Sequence, residues 1–139
     1  MNWRSTDFPA TEAGAQQGIV GLVRQLADEG LDDDLLGKIE IVLAEVVNNI
    51  VEHAYRERED GDVNVRYCLA DGALRFRVVD AGEGFPQGRL PAGDLPDLAV
   101  ATTDLPEGGF GWNLIRTLTS DVSYCRRAGY NDLALRFDL

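Results

Sequence analysis

From Leu35 to Ile50 the apolar residues fall at Leu35, Leu36, Ile39, Val42, Leu43, Val46, Val47 and Ile50, the spacing of an α-helix with one covered face. Asp32, Asp33 and Asp34 stand at its start, where the helix dipole favours negative charge, and the pattern predicts a helix to about Tyr55. So continuous a stripe needs a second apolar layer to cover it. DVNVRYCLA and ALRFRVVD alternate as strands and meet at Asp71 and Gly72, which reads as a hairpin. VSYCRR and DLALRFDL form a second hairpin around AGYN. WRSTDFPA predicts a short opening strand ended by Pro9. Thr11 then caps a helix that carries Ile19, Leu22, Val23 and Leu26 at helical spacing to about Glu29, where Gly30 stops it. A last short helix is expected from about Gly111 to Thr119. The order strand, helix, helix, two strands, loop, helix, two strands implies an α+β two-layer sandwich, a mainly antiparallel mixed sheet covered on one face by helices. With 139 residues, one core suffices, and residues 1–139 are expected to form a single domain.

Composition narrows the function. Apolar residues make up 45% and charged residues 27%, as in an ordinary globular chain. The net charge is −11 and the basic residues are scattered, so direct binding to nucleic acid is not expected. No apolar run approaches the roughly 18 residues of a membrane span, and MNWRSTDFPATEAGAQQ lacks the pattern of a secretory signal. A cytoplasmic protein without membrane contact is the expectation. Cys68 and Cys125 have no metal-ligand spacing and read as small apolar groups.

Within EVVNNIVEHAY an apolar helix carries unexpected polar groups. At about 100° per residue, Glu45, Asn49 and His53 advance only about 40° from one to the next and form one row. Glu45 and Asn49 sit on the shoulder of the apolar stripe, and His53 encroaches on it. A half-buried carboxylate suits a general base, and a half-buried amide oxygen suits a hard metal ligand. The other reading is a polar helix edge at the sheet boundary. Asn48 and Glu52 point toward solvent.

Asp80 ends a strand and opens DAGEGF, giving D-x-G-x-G-F. Its glycines, Gly82 and Gly84, let backbone approach a ligand, and a strand-end carboxylate can accept from the amino group of an adenine. EGGFGWNLI places Gly108, Gly109 and Gly111 before a helix, where free N–H groups can cradle phosphate. The Gly- and Pro-rich stretch between the two reads as a functional loop or lid.

In order and spacing these segments resemble the GHKL ATP-binding superfamily, whose architecture is the Bergerat ATP-binding fold, and within it the small anti-sigma-factor serine-protein kinases. E-x-x-x-N-x-x-x-H-A-Y is similar to the N box, DAGEGF to the first glycine box and GGFGWNLI to the second. The resemblance implies an ATP- and Mg²⁺-dependent serine/threonine protein kinase, or alternatively a nucleotide-binding anti-sigma module that transfers no phosphate. It implies Glu45 as general base, Asn49 as Mg²⁺ ligand, His53 near the phosphates or supporting the helix end, and Asp80 on the adenine amino group. It further implies that Gly82 and Gly84 shape the pocket and that Gly109 and Gly111 let the lid close. The partners it implies are a STAS-domain anti-anti-sigma protein as substrate, a sigma factor, and a second copy of the chain in a homodimer. Two positions depart from the pattern. Near the start of the final strand, where many relatives carry threonine, Asn131 or Asp132 must substitute, and Trp112 stands where a smaller aliphatic residue is common. Arg89 and Arg116 read as phosphate contacts or as solvated surface groups.

Overall fold

The computed structural model describes residues 2–56, 58, 60–91 and 109–139, without side-chain detail at 109 and 110. Of the loop or lid expected between Ala81 and Gly111, residues 92–108, with Gly108, lie outside the described residues. The chain runs β1 (Arg4–Pro9), α1 (Glu12–Asp28), α2 (Asp33–Asn49), a π-helical turn (Ile50–Ala54), β2 (Asp62–Ala70), β3 (Ala73–Asp80), α3 (Gly109–Leu118), β4 (Asp121–Arg127) and β5 (Tyr130–Asp138). The five strands lie in the order β1-β2-β3-β5-β4, and each neighbouring pair is antiparallel.

Both long helices begin as their sequences dictate. The Thr11 hydroxyl accepts from Gly14 N at 3.0 Å, and the Asp32 carboxylate accepts from Leu35 N at 2.8 Å. Each bond satisfies an N–H that the first helical turn leaves unpaired. Thr11→Ala is therefore expected to lower stability by about 1 kcal/mol, read as a shifted urea midpoint at constant slope. No change in midpoint would assign the helix start to tertiary packing instead.

The stripe of α2 is buried as its spacing demands: Ile39, Val42, Leu43, Val46 and Val47 are at most 1% exposed. It rests on the inward-facing residues of the sheet, among them Val65, Phe76 and Leu135. Tyr67, Phe76 and Phe137 join β2, β3 and β5 through ring contacts of 6.1 and 5.9 Å. Strand alternation sends Arg66, Arg77 and Asp132 to the other face. There Arg77 pairs with Asp132, which raises the Arg77 pKa.

The second helix departs from its expected course. Regular α-helix ends at Asn49, and Ile50–Ala54 form a π turn in which Tyr55 N bonds Ile50 O at 2.9 Å. At the end of the helix the Ala54 carbonyl, unpaired within the helix, accepts from Glu83 N at 2.7 Å and ties the helix end to the loop after β3. A π turn advances fewer degrees per residue than an α turn, so the row of Glu45, Asn49 and His53 is broken after Asn49. His53 does not encroach on the apolar stripe. Its side chain is 47% exposed and stands 3.8 Å from Glu52.

Candidate functional site

The site lies where the C-terminal half of α2 meets the ends of β3 and β5 and the start of α3. Asn49 and Asp80 line one cavity of about 590 Å³, with His53, Gly84, Trp112 and Asn131 also in its wall. A volume of this size holds a cofactor-sized ligand. Two residues read separately in the sequence thus face the same space.

Asp80 is 5% exposed. Its Oδ1 accepts from Gly82 N at 2.9 Å and from Asn131 Nδ2 at 2.8 Å. Both bonds land on one oxygen, which leaves Oδ2 as an acceptor for a ligand. Desolvation raises the Asp80 pKa above the ordinary carboxylate value, against the opposing pull of the Asn131 and Gly82 hydrogen bonds and the Arg126 charge.

The glycines around Asp80 mark close approaches of backbone. A Cβ at Gly82 would stand 2.5 Å from the Ala54 carbonyl oxygen, and one at Gly84 would stand 2.7 Å from Arg126 Cδ. Tyr55 secures the same junction from behind, donating its hydroxyl to Asp62 O and accepting from Ala81 N, each at 2.8 Å. Burial raises the Tyr55 pKa.

Asn49 uses its amide nitrogen on its own helix, donating to Glu45 O at 2.9 Å. The facing carbonyl can only accept, so the amide must turn its nitrogen to it and keep its oxygen for a ligand. That oxygen is a hard donor of the kind Mg²⁺ takes. Among the described residues no cluster of three His, Cys, Asp or Glu side chains could hold a metal by itself. A single protein oxygen fits the habit of Mg²⁺, which keeps water and phosphate oxygens in most of its coordination positions.

Glu45 is half-buried but does not line this cavity. It borders a neighbouring groove between α1 and α2, together with Glu12, Ile19, Glu40 and Asn48. The start of α3 is what joins it to the site. A Cβ at Gly111 would stand 2.6 Å from Glu45 Oε2 and 4.0 Å from Asn49 Nδ2, so Gly111 lies over both. Gly109 is the first residue of α3.

The two departures from the family pattern each find a place. Trp112 is 2% exposed, and its ring meets Phe85 at 5.5 Å, while Phe85 meets Tyr124 at 4.9 Å. These edge-to-face contacts form a rigid apolar wall from α3 across the glycine loop to β4. At the final strand, Asn131 and not Asp132 meets Asp80; the two are paired directly across β3 and β5. The alternation of Leu133, Leu135 and Phe137 carried that signal, because residue 131 shares their covered face. Arg116 donates to Pro91 O at 3.1 and 2.8 Å and so holds the segment that leads into residues 92–108. Arg126, which sequence reasoning passed over, donates from Nη1 to Gly82 O at 2.9 Å and to Asn131 Oδ1 at 2.8 Å.

Residues 8–137 match the family described as Histidine kinase-like ATPase domain. The serine-protein kinase RsbW of Bacillus subtilis (strain 168) is 28% identical over 131 residues, covering 90% of this chain and 82% of that protein. RsbW of Bacillus licheniformis is 30% identical over 125 residues, covering 86% and 78%. Among solved structures, that of the RsbU and RsbW domains of Rv1364c from Mycobacterium tuberculosis superposes with a TM-score of 0.69 at 23% identity. All of this chain is covered there, against 33% of that longer one. The mycobacterial sensor histidine kinase MprB superposes with a TM-score of 0.57 at 15% identity, covering 99% of this chain and 97% of that one. At those identities the two structures speak for the fold alone.

Proposed function

The chain belongs to the histidine kinase-like ATPase (GHKL) family, among the relatives of the RsbW serine-protein kinases, and from that membership we propose that it is a cytoplasmic serine/threonine protein kinase that uses ATP and Mg²⁺. Its substrate is a STAS-domain antagonist protein, and the partner released or retained by the switch is a sigma factor. The chain works as a homodimer. The observation that carries this reading is the single cavity lined by both the Asp80 carboxylate and the Asn49 amide.

In this reading Asp80 Oδ2 accepts from the adenine amino group, and Gly82 and Gly84 let the loop close against the base. Asn49 Oδ1 holds the metal, with His53 at the mouth of the cavity beside the phosphates. When bound, Mg²⁺ offsets the charge of the triphosphate in a protein that is itself strongly acidic. Glu45 orients the acceptor hydroxyl and takes its proton. Gly109 and Gly111, in the first turn of α3, allow the backbone there to approach the phosphates.

With labelled ATP, Mg²⁺ and the cognate STAS-domain protein, the wild-type chain is expected to yield a phosphoprotein, and chelation of Mg²⁺ to abolish it. Glu45→Ala is expected to slow transfer by about 10² to 10⁴-fold with nucleotide affinity nearly unchanged. Equal activity of the two proteins, or none from either, would remove the kinase assignment.

A second reading is a nucleotide-dependent binding module that sequesters its partner without phosphoryl transfer. One observation favours it: Glu45 borders the neighbouring groove and not the cavity itself. Calorimetric ATP binding, with partner sequestration fully retained in Glu45→Ala and no phosphoprotein formed, selects this alternative.

A further inference from the structure

The sheet ends on one side at β4, and among the described residues no strand pairs with its outer edge. The turn into β5 decides which backbone groups face out there. Ala128 and Gly129, between Arg127 and Tyr130, have φ of 50° and 85°, both in the left-handed region as a type I′ hairpin requires. In such a hairpin the flanking residues, Arg127 and Tyr130, exchange both hydrogen bonds, and bonded pairs then recur at every second residue. Asp121, Ser123, Cys125 and Arg127 therefore turn their N–H and C=O groups to β5. Val122, Tyr124 and Arg126 turn theirs outward.

An open edge of this kind templates a further strand unless charge, proline or a bulge blocks it. The charges on β4 are arranged to admit one partner in particular. Its solvent-face side chains run Asp121, Ser123, Cys125, Arg127, negative at one end and positive at the other. Among the described residues neither Asp121 nor Arg127 has an ion-pair partner. Laid antiparallel on a copy of itself with Tyr124 on the two-fold axis, the strand sets each Asp121 opposite the Arg127 of the second copy. Tyr124 then pairs with Tyr124 and Val122 with Arg126, so every outward N–H and C=O finds a partner. An axis through Ser123 leaves Arg126 unpaired, one through Cys125 leaves Val122 unpaired, and both lose the opposition of charges. The other edge of the sheet is less suited: at the end of β1, Pro9 has no N–H and its carbonyl already accepts from Thr11 N at 2.8 Å.

We propose that two copies of this chain join edge to edge through β4, with Tyr124 on the two-fold axis, into one continuous antiparallel sheet. The proposal rests on the homodimer reading above and names its surface. The interface adjoins both cavities, because Tyr124 and Arg126 give their backbone to the second copy and their side chains to the glycine loop of their own, at Phe85 N and Gly82 O.

Sedimentation equilibrium over a concentration series reads the association. The wild-type chain is expected to dimerise. Asp121→Arg and Arg127→Asp each set like charges opposite one another at both ends of the paired strands, and each is expected to raise the dimer dissociation constant about tenfold or more. Combining the two substitutions restores opposite charges and is expected to recover most of the wild-type value, which separates lost pairing from lost folding. A cross-link reads the register. Ser123 and the Cys125 of the second copy form a non-hydrogen-bonded pair with Cα atoms about 4.5 Å apart, within the span of a disulfide. The two Cys125 residues lie diagonally, about 7 to 8 Å apart, beyond it. With oxidised glutathione as the electron acceptor, Ser123→Cys is expected to give a covalent dimer, whereas the wild-type chain and Ser123→Cys combined with Cys125→Ser are not. A dimer that neither charge reversal weakens, or a Ser123→Cys variant that forms no covalent dimer, overturns the proposal and assigns the homodimer to another surface. A wild-type chain that is monomeric throughout the series removes the homodimer reading itself, and this inference with it.

Discussion

Asp80→Asn is expected to lower ATP affinity by at least about a hundredfold while leaving the free protein no less stable than wild type. The two effects separate because the two carboxylate oxygens have different work. Oδ1 accepts from Gly82 N and Asn131 Nδ2, and the oxygen of an asparagine can accept both. Oδ2 is the oxygen that the proposed function assigns to the adenine amino group, and there the substitution would set an NH₂ against it. The stability half follows from the raised pKa of Asp80, whose largest cause is desolvation. A carboxyl that holds its proton more tightly when folded stabilises the native state only at low pH. As pH rises from the unfolded carboxyl value through the raised folded one, the native state loses stability relative to the unfolded. Above that window wild-type protein carries a buried charge that the asparagine variant lacks. The thermal midpoint of the variant should therefore equal or exceed that of wild type at pH 7, and the gap should close as the pH falls through the window. A lower midpoint at neutral pH would show that the ionised carboxylate stabilises the fold, and unchanged ATP affinity would place the base elsewhere.

Gly82→Ala is expected to be the more damaging change, although it adds one methyl group. The new Cβ would stand 2.5, 2.6 and 2.8 Å from the oxygen, carbonyl carbon and Cβ of Ala54. Most of that contact is backbone, which cannot rotate away as a long side chain could. Relief requires the loop after β3 to separate from the π turn, which breaks the bond from Glu83 N to Ala54 O and shifts Asp80. The cost is about 1 to 3 kcal/mol in stability, together with loss of nucleotide binding. Gly37→Ala supplies the contrast. That glycine lies in α2 with nothing within 4 Å of an added Cβ, so alanine should stabilise by up to about 1 kcal/mol. Denaturant midpoints of the two variants should move in opposite directions. Movement in the same direction would mean that the close packing of the loop against Ala54 does not govern stability.

Much of this architecture was legible because its signals are local. The helical spacing from Leu35 to Ile50 and the alternation in DVNVRYCLA and ALRFRVVD are set by residues a few positions apart, and the structure follows both. The two glycine segments and the row on α2 could also be picked out one by one. The course of the chain after Asn49 could not. The π turn ends at Ala54, whose carbonyl accepts from Glu83 N, a partner 29 positions away. His53, expected to encroach on the apolar stripe, is instead 47% exposed and stands in the wall of the cavity.

The amino-acid sequence by itself determined which segments are helix and strand, which faces are apolar, and which carboxylates, amides and glycines are available for chemistry. Only the tertiary structure decided how they combine. The pairing of β3 with β5 sets Asn131 opposite Asp80, the fold of the β4–β5 hairpin brings Arg126 to Gly82, and the packing of α3 on α2 lays Gly111 over Glu45 and Asn49. The reason is physical. Spacing within a strand or helix fixes the direction of a side chain relative to its own element, whereas the atom it meets depends on register and packing between elements far apart in the chain.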